Sequence, residues 1–176
     1  MQLACFHAIG FGQNRVVWVV MLFREAHTND IPQIQSVRRS VKENVLTNHA
    51  LVTDEHCRQF INERGKGWVC LIHSQVVGFS IVDLELNNVW ALFVHPDWEK
   101  KGIGRVLHDV MVDWYFENSE VDLWLGTSPK TRAEVFYRIS GWEEQGMHGD
   151  DEIKFVMTQS RWLEKRSRVR GTRPNG

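Results

Sequence analysis

The chain holds few cysteines, and none in a pattern: Cys5, Cys57 and Cys70 form no C-x-x-C pair and lie far apart. That excludes the usual spacing of a structural zinc site and of a redox disulfide. Unpaired thiols fit a reducing cytoplasm, which is the expected location. Long apolar runs are missing as well. The longest, VVWVVMLF at residues 16–23, is less than half of the ~20 residues that a membrane helix needs. A signal peptide wants a basic start, whereas the only arginine in the opening MQLACFHAIGFGQNR is its last residue. Neither sign of charge prevails, with 21 Lys and Arg against 22 Asp and Glu and a formal net charge of -1. Bulk electrostatics therefore calls for no nucleic acid and no membrane. Repeats and low-complexity segments are absent, and neither His73 nor His108 has a partner at ligand spacing, so no metal is expected.

What is present suits one domain. The 176 residues are 43% hydrophobic and include eight tryptophans, enough for a single substantial core and too few for two. We read residues 1–20 as an N-terminal extension, 21–160 as the domain, and 161–176, RWLEKRSRVRGTRPNG, as a basic, solvated and flexible tail.

Periodicity gives the elements. An apolar run closes as a strand near Ala26. Thr28, Asn29 and Asp30 then offer a cap ahead of Pro32, and Ile31, Ile34, Val37, Val41 and Val45 recur at helical steps. A second helix starts near Thr53 or Asp54 and carries Cys57, Phe60 and Ile61 on one side. Residues 68–72, 76–84 and 89–94 read as an antiparallel meander. After it comes a helix with Ile103, Val106, Leu107, Val110, Met111 and Trp114 inward and His108, Asp109 and Asp113 outward. A strand at 121–125, a helix opened by the box Thr131-x-x-Glu134 and ended at Gly141, and strands at 142–147 and 153–158 complete the chain. The fold class is α/β (α+β): a mixed, mostly antiparallel central sheet flanked by helices on both faces.

The stretch HPDWEKKGIGRVLHD, residues 95–109, gathers lysines and glycines at a helix start. Such a start carries unpaired N–H groups and about half a positive charge, and so attracts anions. Gly102 and Gly104, lacking Cβ, let a diphosphate approach the amides between 101 and 105, while Lys100, Lys101 and Arg105 add charge at the rim. G-x-x-x-x-G-K-[ST] is absent, and the residue three beyond Gly104 is Leu107 rather than a third glycine. From this stretch alone, a phosphate cradle and a tight strand-to-helix turn with solvated lysines are equally good readings.

The stretch VHPDWEKKGIGRVLHD, from Val94, resembles the acetyl-CoA pyrophosphate motif of the GNAT superfamily of N-acetyltransferases, V-x-P-x-x-[Q/R]-x-x-G-x-[G/A]. TSPKTRAEVFYRISGW, residues 127–142, is similar to that family's next motif, and MLFREAHTNDIPQIQSVR, from Met21, to its opening strand and helix. The likeness covers about residues 21–158. Glu99 departs from it, standing where the family has Gln or Arg and bringing negative charge towards the phosphates. The resemblance implies a GNAT-like fold and acetyl-CoA as cosubstrate, held by Phe93, Val94, Lys100, Lys101, Gly102, Ile103, Gly104 and Arg105. It also implies an acetyltransferase acting on the primary amine of a small molecule or peptide by direct attack. Tyr137 occupies the family's general-acid position, although Ala133, Phe136 and Tyr137 share core spacing, so packing is its alternative role. For the general base the sequence offers Glu85, with Asp83 and His95 behind it. The loops at 45–53 and 147–151 would shape the acceptor site. A module that binds acetyl-CoA without catalysis, as sensor or scaffold, is the alternative function; a tail that binds RNA or a ribosomal protein is a third. Self-association as a homodimer stays open.

Overall fold

The computed structural model describes residues 2–11, 15–41 and 52–171. It holds one eight-stranded sheet of order β1-β2-β3-β4-β5-β6-β8-β7. The strands are β1 (Gln2–Phe11), β2 (Arg15–Glu25), β3 (Gly65–Ile72), β4 (Gln75–Asp83), β5 (Asn88–Val94), β6 (Leu123–Thr127), β7 (Glu143–His148) and β8 (Glu152–Met157). Every pairing is antiparallel except β5 with β6. The mixed, mostly antiparallel sheet read from the sequence is therefore the observed one.

Helices α1 (Ile31–Ser40) and α2 (Asp54–Asn62) cover one face; α3 (Ile103–Asn118), α4 (Arg132–Ile139) and α5 (Gln159–Gly171) lie on the other. Strand alternation divides the core accordingly. Val69, Phe79, Ile81 and Ala91 meet Ile31, Ile34 and Val37 of α1 and Cys57 of α2. Trp68, Cys70, Val82 and Val89 instead join Ile103, Leu107 and Met111 of α3. Gly78 lets α3 approach closely, since a methyl there would lie 3.1 Å from both Ile103 Cγ2 and Leu107 Cδ1.

Two helix starts carry threonine caps, whereas Asp30 ahead of α1 makes no side-chain cap bond and accepts from Arg24 and the His27 amide instead. Thr53 Oγ1 accepts from the His56 amide at α2, and Thr131 Oγ1 from the Glu134 amide at α4. Pro32 sits in the first turn of α1. That helix stops at Ser40, whereas the apolar period continues to Val45; positions 42–51, and with them most of the expected acceptor loop at 45–53, lie outside the described residues.

Three expectations need correction. The segment read as an extension over 1–20 contributes β1, which pairs with β2 along its length, and β2 itself begins at Arg15. The segment read as a solvated tail is helical to Gly171. Trp162 is only 1% exposed there, its Nε1 donates to Asp113 Oδ1 at 2.9 Å, and Lys165 Nζ donates to the Ser140 carbonyl at 2.7 Å. His108 was read on the polar face of α3 and is fully buried. Its Nε2 accepts from Trp142 Nε1 at 2.9 Å and its Nδ1 meets Asp109 Oδ1 at 2.8 Å. Two partners satisfy both ring nitrogens, which makes burial of a polar ring tolerable.

Candidate active site

The parallel strands β5 and β6 share a single register pair, Asn88 with Trp124. Against β4, Val82 pairs with Val89 and Ile81 with Ala91, so Trp90 is an extra residue on β5. A bulge bends its strand and increases the twist. Past it the two strands separate, and a cleft of about 530 Å³ opens between β5, β6, the start of α3 and α4. The His95 amide donates to the Val77 carbonyl, on the β4 side. Successive residues of a strand direct their backbone groups to opposite neighbours, so the backbones of Val94 and Leu92 face the opening. Phe93, expected among the contacts to the coenzyme, turns its backbone groups to β4 and lines the cleft.

At the start of α3 the backbone turns sharply. Lys100 has φ 59° and Gly102 φ 80°, both left-handed. Nothing lies within 4 Å of where a Gly102 Cβ would be, and a Gly104 Cβ would touch only Val94 Cγ2 at 3.6 Å. Arg105 and Val106 donate to the Gly102 carbonyl at 3.1 and 3.2 Å, which removes the Arg105 amide from the set expected to bind an anion. The amides of Lys101, Gly102, Ile103 and Gly104 meet no acceptor among the described residues. Successive amides in a left-handed then right-handed turn form an anion-binding concavity, and the α3 dipole adds to its field.

The charged side chains around it divide. Lys100 and Arg105 line the cleft and meet no carboxylate among the described residues. Lys101 does not line it: Nζ donates to the Asp97 carbonyl at 3.2 Å and lies 5.7 Å from the Trp98 ring centroid. Glu99 lines it but is gripped by the Arg132 guanidinium, with Nη2 to Oε1 at 2.8 Å and a second contact from Nη1 to Oε2. The negative charge that departs from the family pattern is therefore neutralised locally.

Tyr137 and Thr127 also line the cleft. The tyrosine ring packs on Phe136, Trp142 and Phe155, with centroids 5.3, 5.6 and 6.3 Å away, while its hydroxyl has no partner among the described residues. Burial pushes its pKa above the usual phenol value. Thr127 is 1% exposed at the end of β6, and its Oγ1 is buried with no hydrogen bond among the described residues. Sequence reasoning missed Thr127 and Arg132.

The expected bases are elsewhere. Glu85 is exposed in the turn between β4 and β5, at the Asn88 end of β5, where Arg64 Nε lies 3.2 Å from its Oε2. Asp83 is buried, pairs with Arg64 and accepts the Glu85 amide at 2.9 Å. His95 Nδ1 accepts from the Asp97 amide at 3.3 Å. None of the three lines the cleft. Glu152 of β8 does not line it either, but lies against Gly126, a cleft residue, and meets no cation among the described residues.

Among the described residues no three His, Cys, Asp or Glu side chains are placed to hold a metal ion, and no helix is long and apolar enough to cross a membrane. Cys57 and Cys70 are free and buried, and burial raises their thiols to about 11 and about 12.

Comparison with known proteins converges on one family. Residues 63–144 match the acetyltransferase (GNAT) domain. A protein of Methanocaldococcus jannaschii described as an uncharacterized N-acetyltransferase is 29% identical over 89 residues, 44% of this chain. The match spans 39% of the length of that relative. Among solved structures, the PaiA N-acetyltransferase of Thermoplasma acidophilum, in complex with coenzyme A, superposes with TM-score 0.68 at 15% identity over 78% of this chain and 98% of that one. The ribosomal-protein-S18-alanine N-acetyltransferase of Escherichia coli gives TM-score 0.61 at 17% identity, over 78% and 91%. These two are likenesses of fold.

Proposed function

We propose, on the match of residues 63–144 to the acetyltransferase (GNAT) domain, that the chain moves an acetyl group from acetyl-CoA to the primary amine of a small molecule or peptide. The reading is carried by the meeting, in one cleft, of the bare amides at Lys101–Gly104 and the unpartnered Tyr137 hydroxyl. The cradle suits the coenzyme: no side chain fills the space at Gly102, four amides are unspent, and Lys100 and Arg105 stand beside them.

Bound there, acetyl-CoA supplies an acetyl thioester. The amides of residues 101–104, with Lys100 and Arg105, hold its diphosphate. The backbone of Leu92 and Val94, freed by the strand separation, orients the pantetheine arm. An amide set at the thioester carbonyl contributes several kcal/mol, on the order of one oxyanion-hole donor. Tyr137 keeps its proton at Oη across neutral pH, because burial raises its pKa, and is the donor for the departing sulfur. Glu152 takes the part first assigned to Glu85 and accepts the proton of the attacking amine. Thr127 Oγ1 gains from the bound ligand the hydrogen bond that it lacks in the protein.

Release of free thiol, followed over a panel of amines, tests this. Tyr137→Phe should lower kcat about 100-fold and leave acetyl-CoA affinity unchanged, while Glu152→Gln should lower kcat/KM for the amine. Acetyl-CoA binding without turnover on any amine, and no effect of Tyr137→Phe, would instead favour a sensor or scaffold.

A further inference from the structure

Arg38 projects from the last turn of α1 towards the sheet, and its guanidinium lies 4.1 Å from the centroid of the Phe93 ring. It lines a second pocket of about 220 Å³ with Ile34, Gln35, Cys57 and Trp90. This pocket shares Trp90, Ala91 and Phe93 with the main cleft, and Val41, three residues beyond Arg38, lines the main cleft itself. The annex is too small for a whole ligand, since such sites run about 300–1,000 Å³, and suits one substituent of a ligand held in the cleft.

Most arginines among the described residues have a counter-ion. Arg24, Arg64, Arg132, Arg138 and Arg166 each meet a carboxylate. Arg38 is half-buried and meets none among the described residues. Burial lowers its pKa, and no acidic group among the described residues offsets that effect. Burying a cation without a partner is costly, and a planar guanidinium backed by an aromatic ring presents its fork to a carboxylate or phosphate. The coenzyme's diphosphate does not answer this need. Its cradle is on the α3 side of the sheet, whereas Arg38 is on the α1 and α2 side.

We propose that the acceptor amine carries an anionic group, a carboxylate or a phosphate, which enters the annex and pairs with Arg38. This rests on the acetyl-transfer reading, which makes the main cleft the place where an amine reacts. Arg38 is then a specificity-determining residue: it selects the acceptor and takes no part in the chemistry.

Thiol release with β-alanine, O-phosphoethanolamine, ethanolamine and cadaverine gives the kinetic test. The two anionic amines should exceed the other two in kcat/KM, and the better of them tells carboxylate from phosphate. Arg38→Gln should cut kcat/KM for the anionic amines about 10-fold to 100-fold, mostly through KM. Ethanolamine turnover and the KM for acetyl-CoA should be unchanged. Arg38→Met, which keeps the aliphatic contact with Phe93, controls for folding. Independently of turnover, the ¹⁵N-labelled Arg38 side-chain resonance of the coenzyme A-loaded protein should shift saturably with β-alanine or O-phosphoethanolamine and not with ethanolamine. A saturable shift with no turnover on any amine would sink acetyl transfer and sustain the anion site. Turnover without that shift, or an anionic preference unmoved in both variants, would overturn the role of Arg38.

Discussion

Thr127 keeps a buried hydroxyl without a partner among the described residues, a feature costing about 1–3 kcal/mol when no ligand meets it. Thr127→Val should therefore leave the free protein as stable or about 1 kcal/mol more stable, while raising the KM for acetyl-CoA. Thermal unfolding and steady-state kinetics on the same preparation read both effects. Arg132 poses the converse case. Arg132→Ala strips the counter-ion from Glu99 and should weaken acetyl-CoA binding about 10-fold by calorimetry, and Glu99→Gln added to it should restore most of the loss. The turn at the start of α3 was legible in the sequence because Lys100 to Arg105 are consecutive and glycine marks where backbone is bared. Arg132 was not, since it meets Glu99 across 33 residues of chain. Glu85 was misjudged for a related reason. Nothing in the local pattern says that β5 parts from β6 towards Val94, at the opposite end from Glu85.

α5 illustrates how composition misleads about an element. Its arginines and lysines read as a solvated run, yet one tryptophan decides its placement. Trp162 is buried against His108, ring centroids 5.6 Å apart, and bonded to Asp113 of α3. Arg166 reaches Asp113, Lys165 reaches the Ser140 carbonyl at the end of α4, Arg161 reaches Glu143 and Arg168 reaches Glu164, so four of the basic residues are engaged within the chain. Trp162→Ala should cost about 3–5 kcal/mol, seen as an earlier urea midpoint with α3 still helical by circular dichroism. The starts of α2, α3 and α4 were read close to their observed positions because one face is apolar and each start carries a cap or a glycine. β1 was missed: an edge strand buries little, and its sequence lacks strict alternation.

The two clusters on either side of the sheet make the chain a three-layered body, and the buried polar centre of the second cluster sets how it responds to acid. Burial lowers the His108 pKa against the opposing pull of Asp109, so the folded protein holds this ring neutral. The unfolded chain takes up the proton near the ordinary histidine pKa of about 6.5. The folded state then binds fewer protons, and stability is fully present above that pH and lost progressively below it, at a slope approaching about 1.4 kcal/mol per pH unit. Burial alone would raise Asp109, but the His108 hydrogen bond and the Lys165 and Arg166 cations hold it below the usual carboxylate range. Its contribution is present above its unfolded pKa and is lost at lower pH, so it does not blur the histidine window. Urea unfolding at pH 7, 6 and 5 should show declining stability in the native protein and a flatter profile in His108→Gln.

All of these readings require that the bare amides at the start of α3 receive the coenzyme's diphosphate. A crystal structure of the protein with acetyl-CoA measures this directly. It should place diphosphate oxygens within about 2.7–3.2 Å of the backbone nitrogens of Gly102, Ile103 and Gly104, with the acetyl group beside Tyr137. A diphosphate bound elsewhere, or those nitrogens paired with the protein's own carbonyls in the complex, would contradict the account.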